Sequence, residues 1–265
     1  MDLQKIVDII SSSNHLVVLT GAGISVESGV PSYRGKNGLW VRGSKHYHPM
    51  ELATYRTLRK DPETAWEFYN YRRKYYKSAE PNVGHHAIVK LEHWFKKQKK
   101  NFHLVTQNVD GLHLRAGSDP NLTYEIHGNA HLMRCISDCQ GQLIKIPSDV
   151  TNVPLCPNCR EIMRPNVLLF DETYNERYYK VETVLSLTRK MDCLIVIGTS
   201  LQTNLPSQIV MVGLQRMIPL IEINPEPIQS FSRAEVIQLP FKSGDILPKI
   251  VNELKNKDRH SNIPI

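Results

Sequence analysis

The segment Leu16-Val17-Val18-Leu19-Thr20 runs directly into Gly21-Ala22-Gly23-Ile24-Ser25. Its first four residues form a continuous apolar run and Thr20 follows them, which is typical of a β-strand buried on both faces of a parallel sheet. Two glycines directly after such a strand allow a tight turn and let backbone amides approach a phosphate at the next helix N-terminus. This pattern alone leaves two interpretations open, a nucleotide-binding loop and a plain strand-to-helix turn.

The residues that follow the glycines differ from the dehydrogenase pattern. Val26 stands at the third glycine position, and no second short strand ends in an acidic residue about twenty positions on. The stretch from Glu27 to Trp40 is instead rich in glycine, serine and aromatic residues and carries Arg34. Such a loop suits a lid that closes over a phosphate or a ribose, so we do not expect hydride transfer.

Further apolar runs predict the remaining strands, at residues 103–106, 124–126, 194–197, 220–223 and 236–239. Helical stretches are predicted at residues 62–78, 84–100, 175–190 and 245–256. Strands that alternate with helices predict an α/β fold with a doubly wound, Rossmann-like parallel sheet. Residues 129–166 interrupt this alternation and predict a smaller inserted module.

The bulk composition places the chain among ordinary globular proteins. It has 265 residues, an apolar fraction of 41% and a formal net charge of +7. No apolar run reaches the roughly 20 residues that cross a bilayer, and the N-terminus resembles an amphipathic helix and not a signal peptide. We therefore expect a cytoplasmic protein with a solvated basic surface and no membrane partner.

Four of the five cysteines lie in one window of the chain. Cys135 and Cys139 form one close pair, Cys156 and Cys159 form another, and sixteen residues separate the pairs. This spacing is typical of a four-thiolate zinc site, which is structural because protein ligands fill every position. An alternative in which His131 replaces one thiolate stays open at this point. Cys193, inside an apolar run, is predicted to be inert core.

A polar cluster follows the second apolar run, at the edge of the sheet where open α/β proteins bind ligands. It contains Gln107, Asn108 and Asp110. Such groups are costly to bury without partners, and a bound amide such as nicotinamide is one partner. An Asx-type turn that caps the next helix is the alternative. His127 ends a further strand, and its imidazole is suited to take a proton from a sugar hydroxyl or to serve a structural role.

Taken together, these features resemble the sirtuin family, from about residue 5 to residue 252. The stretches that match are Gly21 to Ser25, Val30-Pro31-Ser32-Tyr33-Arg34-Gly35, Thr106 to Asp110, Ile126-His127-Gly128, the four cysteines, Gly198-Thr199-Ser200-Leu201 and Ile223-Asn224. The resemblance implies an NAD-dependent protein-lysine deacylase that consumes NAD as co-substrate and holds one structural zinc ion. In that mechanism the acyl oxygen attacks the nicotinamide ribose, an alkylimidate forms, and nicotinamide, lysine and O-acyl-ADP-ribose leave.

The resemblance also implies residue roles. His127 is the implied general base, with Asn108 and Asp110 as further catalytic residues. The implied contacts of the glycine loop and lid are Gly21, Ala22, Gly23, Tyr33, Arg34 and Trp40. The residues implied to contact the nicotinamide end are Ser25, Gln107, Asn108 and Asp110. The residues implied to contact the adenosine half are Gly198, Thr199, Ser200, Asn224, Glu226 and Ser243. The implied peptide-binding strand contains Val167, Leu168 and Phe170.

A narrower resemblance concerns the acyl group. Ala53, Tyr69 and Arg72 match the sirtuin branch that removes succinyl and malonyl groups. Tyr69 and Arg72 share a helix face, and an arginine pairs bidentately with a carboxylate. Periodicity alone favours an amphipathic helix with a solvated arginine, whereas the matched spacing favours acidic acyl groups, with acetyl groups also accepted.

Two positions depart from the common sirtuin pattern. Asp171 replaces a frequent glycine beside the implied peptide-binding strand, and Pro206 comes one residue late in the adenosine-side loop. A single sirtuin-type catalytic domain is expected over residues 1–265. Its Rossmann-like part covers about 5–55, 80–128 and 167–256, its helical part about 45–80 and its zinc module about 129–166. We expect acylated protein substrates, a monomer and no specific nucleic acid.

Three other functions compete with deacylation. An NAD glycohydrolase or mono-ADP-ribosyltransferase uses the same site, but hydrolysis needs no acyl-carboxylate clamp. A zinc-ribbon nucleic-acid-binding protein leaves the glycine loop and the Gln107 cluster unexplained, and no aromatic and basic stripe follows the cysteines. A dehydrogenase lacks its acidic ribose ligand.

Overall fold

The first apolar run of the chain forms the centre of a parallel sheet in the computed structural model, which describes residues 3–32, 49–148, 150–233 and 236–261. The strands are β1 (His15–Thr20), β2 (Asn101–Thr106), β3 (Thr123–Glu125), β4 (Gly128–Cys135), β5 (Ile144–Lys145), β6 (Met163–Val167), β7 (Cys193–Ile197), β8 (Leu220–Ile223) and β9 (Val236–Leu239).

Helices connect most of these strands. They are α1 (Leu3–Ser12), α2 (Pro49–Leu52), α3 (Tyr55–Lys60), α4 (Pro62–Ser78), α5 (Val83–Lys97), α6 (Leu112–Ala116), α7 (Glu176–Tyr179), α8 (Val181–Lys190), α9 (Asn204–Gln215) and α10 (Ser243–Ser261). Short 3₁₀ helices cover Ala22–Ser28 and Gln229–Arg233. No helix in the described ranges is long and apolar enough to cross a membrane.

The strand order fixes where a ligand can bind. Over the described residues, the large sheet has the order β3-β2-β1-β7-β8-β9, and every pairing is parallel. The order reverses between β1 and β7, and a crevice opens outside the carboxyl ends of the strands at such a switch point. Thr20 pairs with both Thr106 and Ile197, so these strand ends are level. The predicted doubly wound sheet is confirmed.

The core explains why the strands read as unbroken apolar runs. Leu16 and Val18 of β1 belong to a buried cluster with α1, α5 and α10 on one face of the sheet. Val17 and Leu19 belong to a second cluster with α8 and α9 on the other face. Because both faces are covered, every β1 side chain from Leu16 to Thr20 is buried whichever way it points.

The inserted module is a separate antiparallel sheet with the order β5-β4-β6. Helix α4 packs against this sheet, and the indole N–H of Trp66 donates to the carbonyl oxygen of Met163 at 2.9 Å. The helix begins where the sequence predicts, because Asp61 caps the Thr64 amide and Pro62 occupies the first turn. The α4 helix thereby connects the inserted module to the cleft described below.

Three local predictions differ from the structure. The helix predicted over residues 175–190 is broken at Lys180, which adopts a left-handed conformation with φ 54° between α7 and α8. The glycine loop leads into a 3₁₀ helix and not an α-helix. His127 lies between β3 and β4 and does not end a strand.

Candidate active site

A cleft of about 1310 Å³ opens along the carboxyl ends of the parallel strands. Typical small-molecule sites occupy about 300–1,000 Å³, so this cleft has room for a nucleotide and a second ligand. The residues that follow successive strands of the sheet, from β3 to β9, line it in the order His127, Gln107, Gly23, Gly198, Asn224 and Ser243.

The glycine loop packs directly on the loop that follows β7. The Gly21 amide donates to the Ile197 carbonyl at 2.9 Å, and the Gly23 amide donates to the Gly198 carbonyl at 2.8 Å. A Cβ on Gly23 would lie 2.6 Å from the Gly198 Cα. These glycines therefore allow two loops to touch, and their own amides are bound inside the protein, which differs from the expected phosphate contact. Ala22 and Gly23 still line the cleft.

Asn108 is fixed from behind the cleft wall. Its amide nitrogen donates to the Gly21 carbonyl and to the Ser25 hydroxyl, both at 3.1 Å. Ser25 donates in turn to Asp110 at 2.7 Å, and the other Asp110 oxygen accepts from the Leu112 amide at 2.9 Å. Asn108 lines the cleft, whereas Ser25 and Asp110 are buried behind it.

The Asx-type turn proposed as an alternative is therefore present at Asp110, whose carboxylate caps the start of α6. Burial raises the pKa of Asp110 above its ordinary value, and the bonds from Leu112 and Ser25 lower it in part. The contact of Asp110 with a cofactor stays a prediction.

Gln107 connects the two halves of the cleft. Its side-chain nitrogen donates to the Thr199 hydroxyl at 2.8 Å and to the Thr20 carbonyl at 3.3 Å. The side-chain oxygen accepts from the Thr203 hydroxyl at 3.4 Å. The carboxamide thus ties the ends of β1 and β2 to the loop after β7, and it faces the cleft.

His127 lines the cleft at the β3 end of the sheet. Its Nδ1 lies 3.0 Å from the carbonyl oxygen of Gln107, and its Nε2 lies 2.8 Å from the hydroxyl of Tyr174. Burial lowers the pKa of His127 to about 4, so the imidazole is neutral at physiological pH. A neutral imidazole keeps a lone pair on one ring nitrogen and is therefore able to accept a proton.

The implied peptide-binding strand runs beside His127. The Leu168 amide donates to the His127 carbonyl at 2.9 Å, and the Phe170 amide donates to the Ala53 carbonyl at 3.0 Å. Val167, Leu168 and Phe170 all line the cleft, and the Phe170 side chain is 47% exposed. An apolar ring held at the cleft mouth without burial is suited to contact a second molecule.

The acyl-recognition residues predicted from the sequence come together at the same end. Ala53, Tyr69 and Arg72 line the cleft and are buried. Arg72 is only 3% exposed, so the alternative of a solvated arginine is wrong. Its Nε and Nη2 donate to the Tyr76 hydroxyl at 2.9 and 2.6 Å.

A buried ion pair shapes the chain after the peptide-binding strand. Arg164 is buried and pairs through both terminal nitrogens with the Glu172 carboxylate, which also accepts from the Leu169 amide at 3.0 Å. Asp171 accepts from the Tyr55 amide at 2.6 Å and from the Arg56 amide at 3.1 Å. Asp171, a departure from the sirtuin pattern, therefore caps α3 and fastens the strand to the segment that carries Ala53.

The residues predicted to hold adenosine gather at the opposite end of the cleft. The residues of this group that line it are Gly198, Thr199, Ser200, Asn224, Glu226 and Ser243. Asn224 donates to the Thr199 carbonyl at 3.3 Å, which ties the loops after β7 and β8 together. Ser243 donates to Glu27 at 3.2 Å and so joins α10 to the 3₁₀ helix of the glycine loop.

The four cysteines of the inserted module converge on one point. Their Sγ atoms all lie within 4.8 Å of one another, with 3.5 Å between Cys135 and Cys159 and between Cys139 and Cys156. Zinc–sulfur bonds of about 2.3 Å in a tetrahedron separate the sulfurs by about 3.8 Å, so the cluster fits a zinc ion. His131 contacts the Asp110 carbonyl instead, and the alternative in which it replaces a thiolate is wrong.

Three predicted residues lie outside the described part of the chain, and two residues that were not predicted line the cleft. Tyr33, Arg34 and Trp40 lie outside the described residues. Tyr76 and Tyr174 line the cleft and bind Arg72 and His127, although neither was predicted as a site residue. Tyr76 was detectable, because it follows Arg72 by four residues on a helix. Tyr174 gave no signal, since its contact with His127 depends on the tertiary fold.

Comparisons with known proteins agree with this geometry. The Sir2 family profile matches residues 21–204. A protein of Leptospira interrogans serovar Lai, strain 56601, named NAD-dependent protein deacylase is 40% identical over 237 residues, which cover 89% of this chain and 91% of that protein. NAD-dependent protein deacylase 2 of Pyrobaculum aerophilum is 37% identical over 257 residues and 97% of both chains.

Solved structures agree in fold. The crystal structure of a Sir2 homolog–NAD complex superposes with a TM-score of 0.84 at 32% identity, covering 96% of this chain and 94% of that one. A Sir2 variant with a deacetylated p53 peptide and 3'-O-acetyl ADP ribose gives a TM-score of 0.79 at 25% identity, with 96% and 98% covered. The zinc-ribbon and dehydrogenase alternatives are thereby excluded, and the chain belongs to the Sir2 family.

Proposed function

We propose that this protein is an NAD-dependent protein-lysine deacylase that removes succinyl and malonyl groups in preference to acetyl groups. The observation that carries the proposal is the order of side chains along one cleft. His127 lies between the nucleotide-side loops, represented by Gly198 and Asn224, and the buried group of Ala53, Tyr69 and Arg72. A base in this place is in reach of both a sugar hydroxyl and an acyl group.

NAD would supply an electrophilic ribose carbon once nicotinamide leaves. The cleft residues Gly198, Thr199, Ser200, Asn224 and Glu226 would bind its adenosine half, with Ser243 beside them. Gln107 and Asn108 would face the nicotinamide end, with Ser25 and Asp110 holding Asn108 in place. His127 would accept the proton of a ribose hydroxyl, because its burial keeps the imidazole neutral.

The preference for acidic acyl groups rests on a buried positive charge. Arg72 lines the cleft, and the Tyr76 hydroxyl accepts from two of its nitrogens, which restricts the guanidinium to one orientation. The Asp110 carboxylate interacts electrostatically with Arg72, and Glu172, which lines the same cleft, is paired with Arg164. A carboxylate at the end of an acyl chain would gain charge-assisted hydrogen bonds from Arg72, whereas an acetyl group offers no partner.

The experiment compares Arg72→Met with Arg73→Met. Arg73 is the matched control, because it is equally buried but donates to the Ile146 and Pro147 carbonyls of the inserted module and does not line the cleft. Hydrogen bonds to a charged group contribute about 1.5–3 kcal/mol, so kcat/KM for a succinyl-lysine peptide should fall by about 10- to 150-fold in Arg72→Met. The value for the matched acetyl peptide should stay within about threefold, since it lacks those bonds.

Two outcomes would contradict the acyl preference. Equal loss on the two peptides would remove Arg72 as the carboxylate-binding residue. The same selective loss in Arg73→Met would mean that helix α4, and not the guanidinium in the cleft, sets the preference. Absence of deacylation by the wild-type protein on every acyl peptide would contradict the deacylase function itself.

A further inference from the structure

The hydrogen bonds of His127 determine which of its nitrogens carries the proton. A backbone carbonyl oxygen only accepts hydrogen bonds, so Nδ1 must donate to the Gln107 carbonyl at 3.0 Å. The neutral imidazole then has its lone pair on Nε2. The partner of Nε2, at 2.8 Å, is the Tyr174 hydroxyl, which must therefore be the donor. In this arrangement the basic nitrogen of His127 faces Tyr174.

Tyr174 is held in this position by its surroundings. Its ring lies 5.8 Å from the imidazole, centroid to centroid, and on its other side it contacts the ring of Tyr179 at 6.5 Å. Burial raises the pKa of Tyr174 to about 12, while hydrogen bonds with the Thr203 side chain and the Leu205 backbone oppose that rise. The hydroxyl thus keeps its proton at neutral pH and has polar neighbours beyond His127.

These contacts join the two places where the sequence departs from the common sirtuin pattern. Tyr174 follows Asp171 by three residues, and Thr203 and Leu205 belong to the loop whose proline comes one residue late. Both segments line the cleft beside His127. The departures are therefore spatially connected through one hydroxyl group.

We propose that Tyr174 relays the proton from the ribose hydroxyl to His127. In this step the ribose O–H bond breaks and its proton passes to the Tyr174 oxygen, while the Tyr174 proton passes to Nε2. Tyr174 ends neutral, His127 becomes an imidazolium that donates from both nitrogens, and the ribose oxygen is free to attack. The two transfers are concerted, because a free tyrosinate is unfavourable in this buried site.

The inference rests on the proposed deacylase function, and its test separates the two. Tyr174→Phe keeps the ring and removes only the relay oxygen. With NAD and an acyl-lysine peptide, nicotinamide exchange reports the first chemical step, which needs no base, and O-acyl-ADP-ribose formation reports the base-dependent step. We expect product formation to fall at least about 100-fold and exchange to stay within about threefold, since general-base catalysis contributes about 10²–10⁴.

Tyr178→Phe is the matched control, because its hydroxyl bonds to Asp138 in the inserted module and not to His127. This variant should keep both activities. Wild-type product formation should also show a solvent deuterium isotope effect from two moving protons, seen as a curved dependence on deuterium fraction. Product formation by Tyr174→Phe at or above the wild-type rate would overturn the relay, and so would equal loss of both activities.

A measurement on the wild-type protein covers the case in which Tyr174→Phe does not fold. Long-range ¹H–¹⁵N NMR of labelled histidines reports the tautomer of His127. The relay requires the proton on Nδ1, and a proton on Nε2 would overturn it. If the wild-type protein releases no deacylated peptide at all, the proposed deacylase function is wrong. That assay does not depend on the tautomer of His127, so the two failures are distinguishable.

Discussion

Replacement of Asp171 by alanine tests how the acyl end of the cleft is held together. The Asp171 carboxylate accepts from the Tyr55 and Arg56 amides, so its loss frees the first turn of α3. Loss of a capping residue lowers the free energy of unfolding by about 0.5–2 kcal/mol, and we expect about 1 kcal/mol because the Asp171 carboxylate is exposed. The bond from the Phe170 amide to the Ala53 carbonyl would still connect the two segments.

The expected functional effect is on substrate binding and not on chemistry. Since 1 kcal/mol corresponds to a factor of about 5, the KM for an acyl-lysine peptide should rise up to about fivefold with little change in kcat. Asp192→Ala is the control, because this carboxylate also accepts two backbone amides, from Asn14 and His15, away from the cleft. Urea unfolding and steady-state kinetics measure both variants. An unchanged KM in Asp171→Ala, or an equal rise in Asp192→Ala, would refute the reasoning.

Three further predictions concern the metal, a half-buried acid and the glycine loop. Elemental analysis of the wild-type protein should find one zinc ion per chain. Cys156→Ser should lose that zinc and lower Tm by more than about 10 °C, since structural zinc supports folding by several kcal/mol; full zinc content in Cys156→Ser would contradict the site. Burial raises the pKa of Glu125 to about 7, so its stabilising contribution is lost as pH rises through 7. In urea unfolding, the free energy of unfolding of Glu125→Gln should therefore rise by about 2 kcal/mol relative to that of the wild type between pH 5.5 and pH 8.5. A difference that does not depend on pH would contradict the raised pKa. Gly23→Ala should lower the free energy of unfolding by about 1–3 kcal/mol, because the added Cβ would meet the Gly198 backbone. Gly213→Ala inside α9 should lower it less, and equal losses in the two variants would argue against the loop contact.

Much of the fold follows from short-range patterns. A run such as Leu16 to Leu19 is apolar at every position because helices cover both faces of its strand, and that requirement is visible in the residues themselves. The cysteine spacing works in the same way, since a four-thiolate site needs two close pairs. The polar residues after β2 were predicted to lie at the ligand-binding edge, and the strand order puts Gln107 there.

Other features depend on contacts between distant segments and are invisible in the sequence. Gly23 was interpreted as a phosphate contact, yet its missing Cβ is required by Gly198, which is 175 residues away in the chain. The role of Asp171 is similar, because a cap for α3 is supplied from beyond the inserted module. Tyr174 meets His127 only because the chain after β6 returns across the end of β3.

For Arg72, the sequence pattern predicted the helix face correctly but not the burial of the side chain. Periodicity indicated that it shares a helix face with Tyr69, but it favoured solvent exposure over burial. Burial is decided by the packing of α4 between the inserted module and the cleft, where Trp66 and Arg73 bond to backbone carbonyls. The same packing turns Arg72 onto Tyr76 at the cleft wall. The resemblance to sirtuins assigned Arg72 to acyl recognition, and its contact with an acyl carboxylate stays a prediction.

The most direct test of the account uses the wild-type protein with NAD and matched succinyl-lysine and acetyl-lysine peptides. Mass spectrometry would quantify nicotinamide, the free-lysine peptide and O-acyl-ADP-ribose in the same reaction. The account predicts equal amounts of the three products, formed faster from the succinyl peptide than from the acetyl peptide. Nicotinamide released without deacylated peptide would contradict it and would indicate a glycohydrolase or an ADP-ribosyltransferase instead.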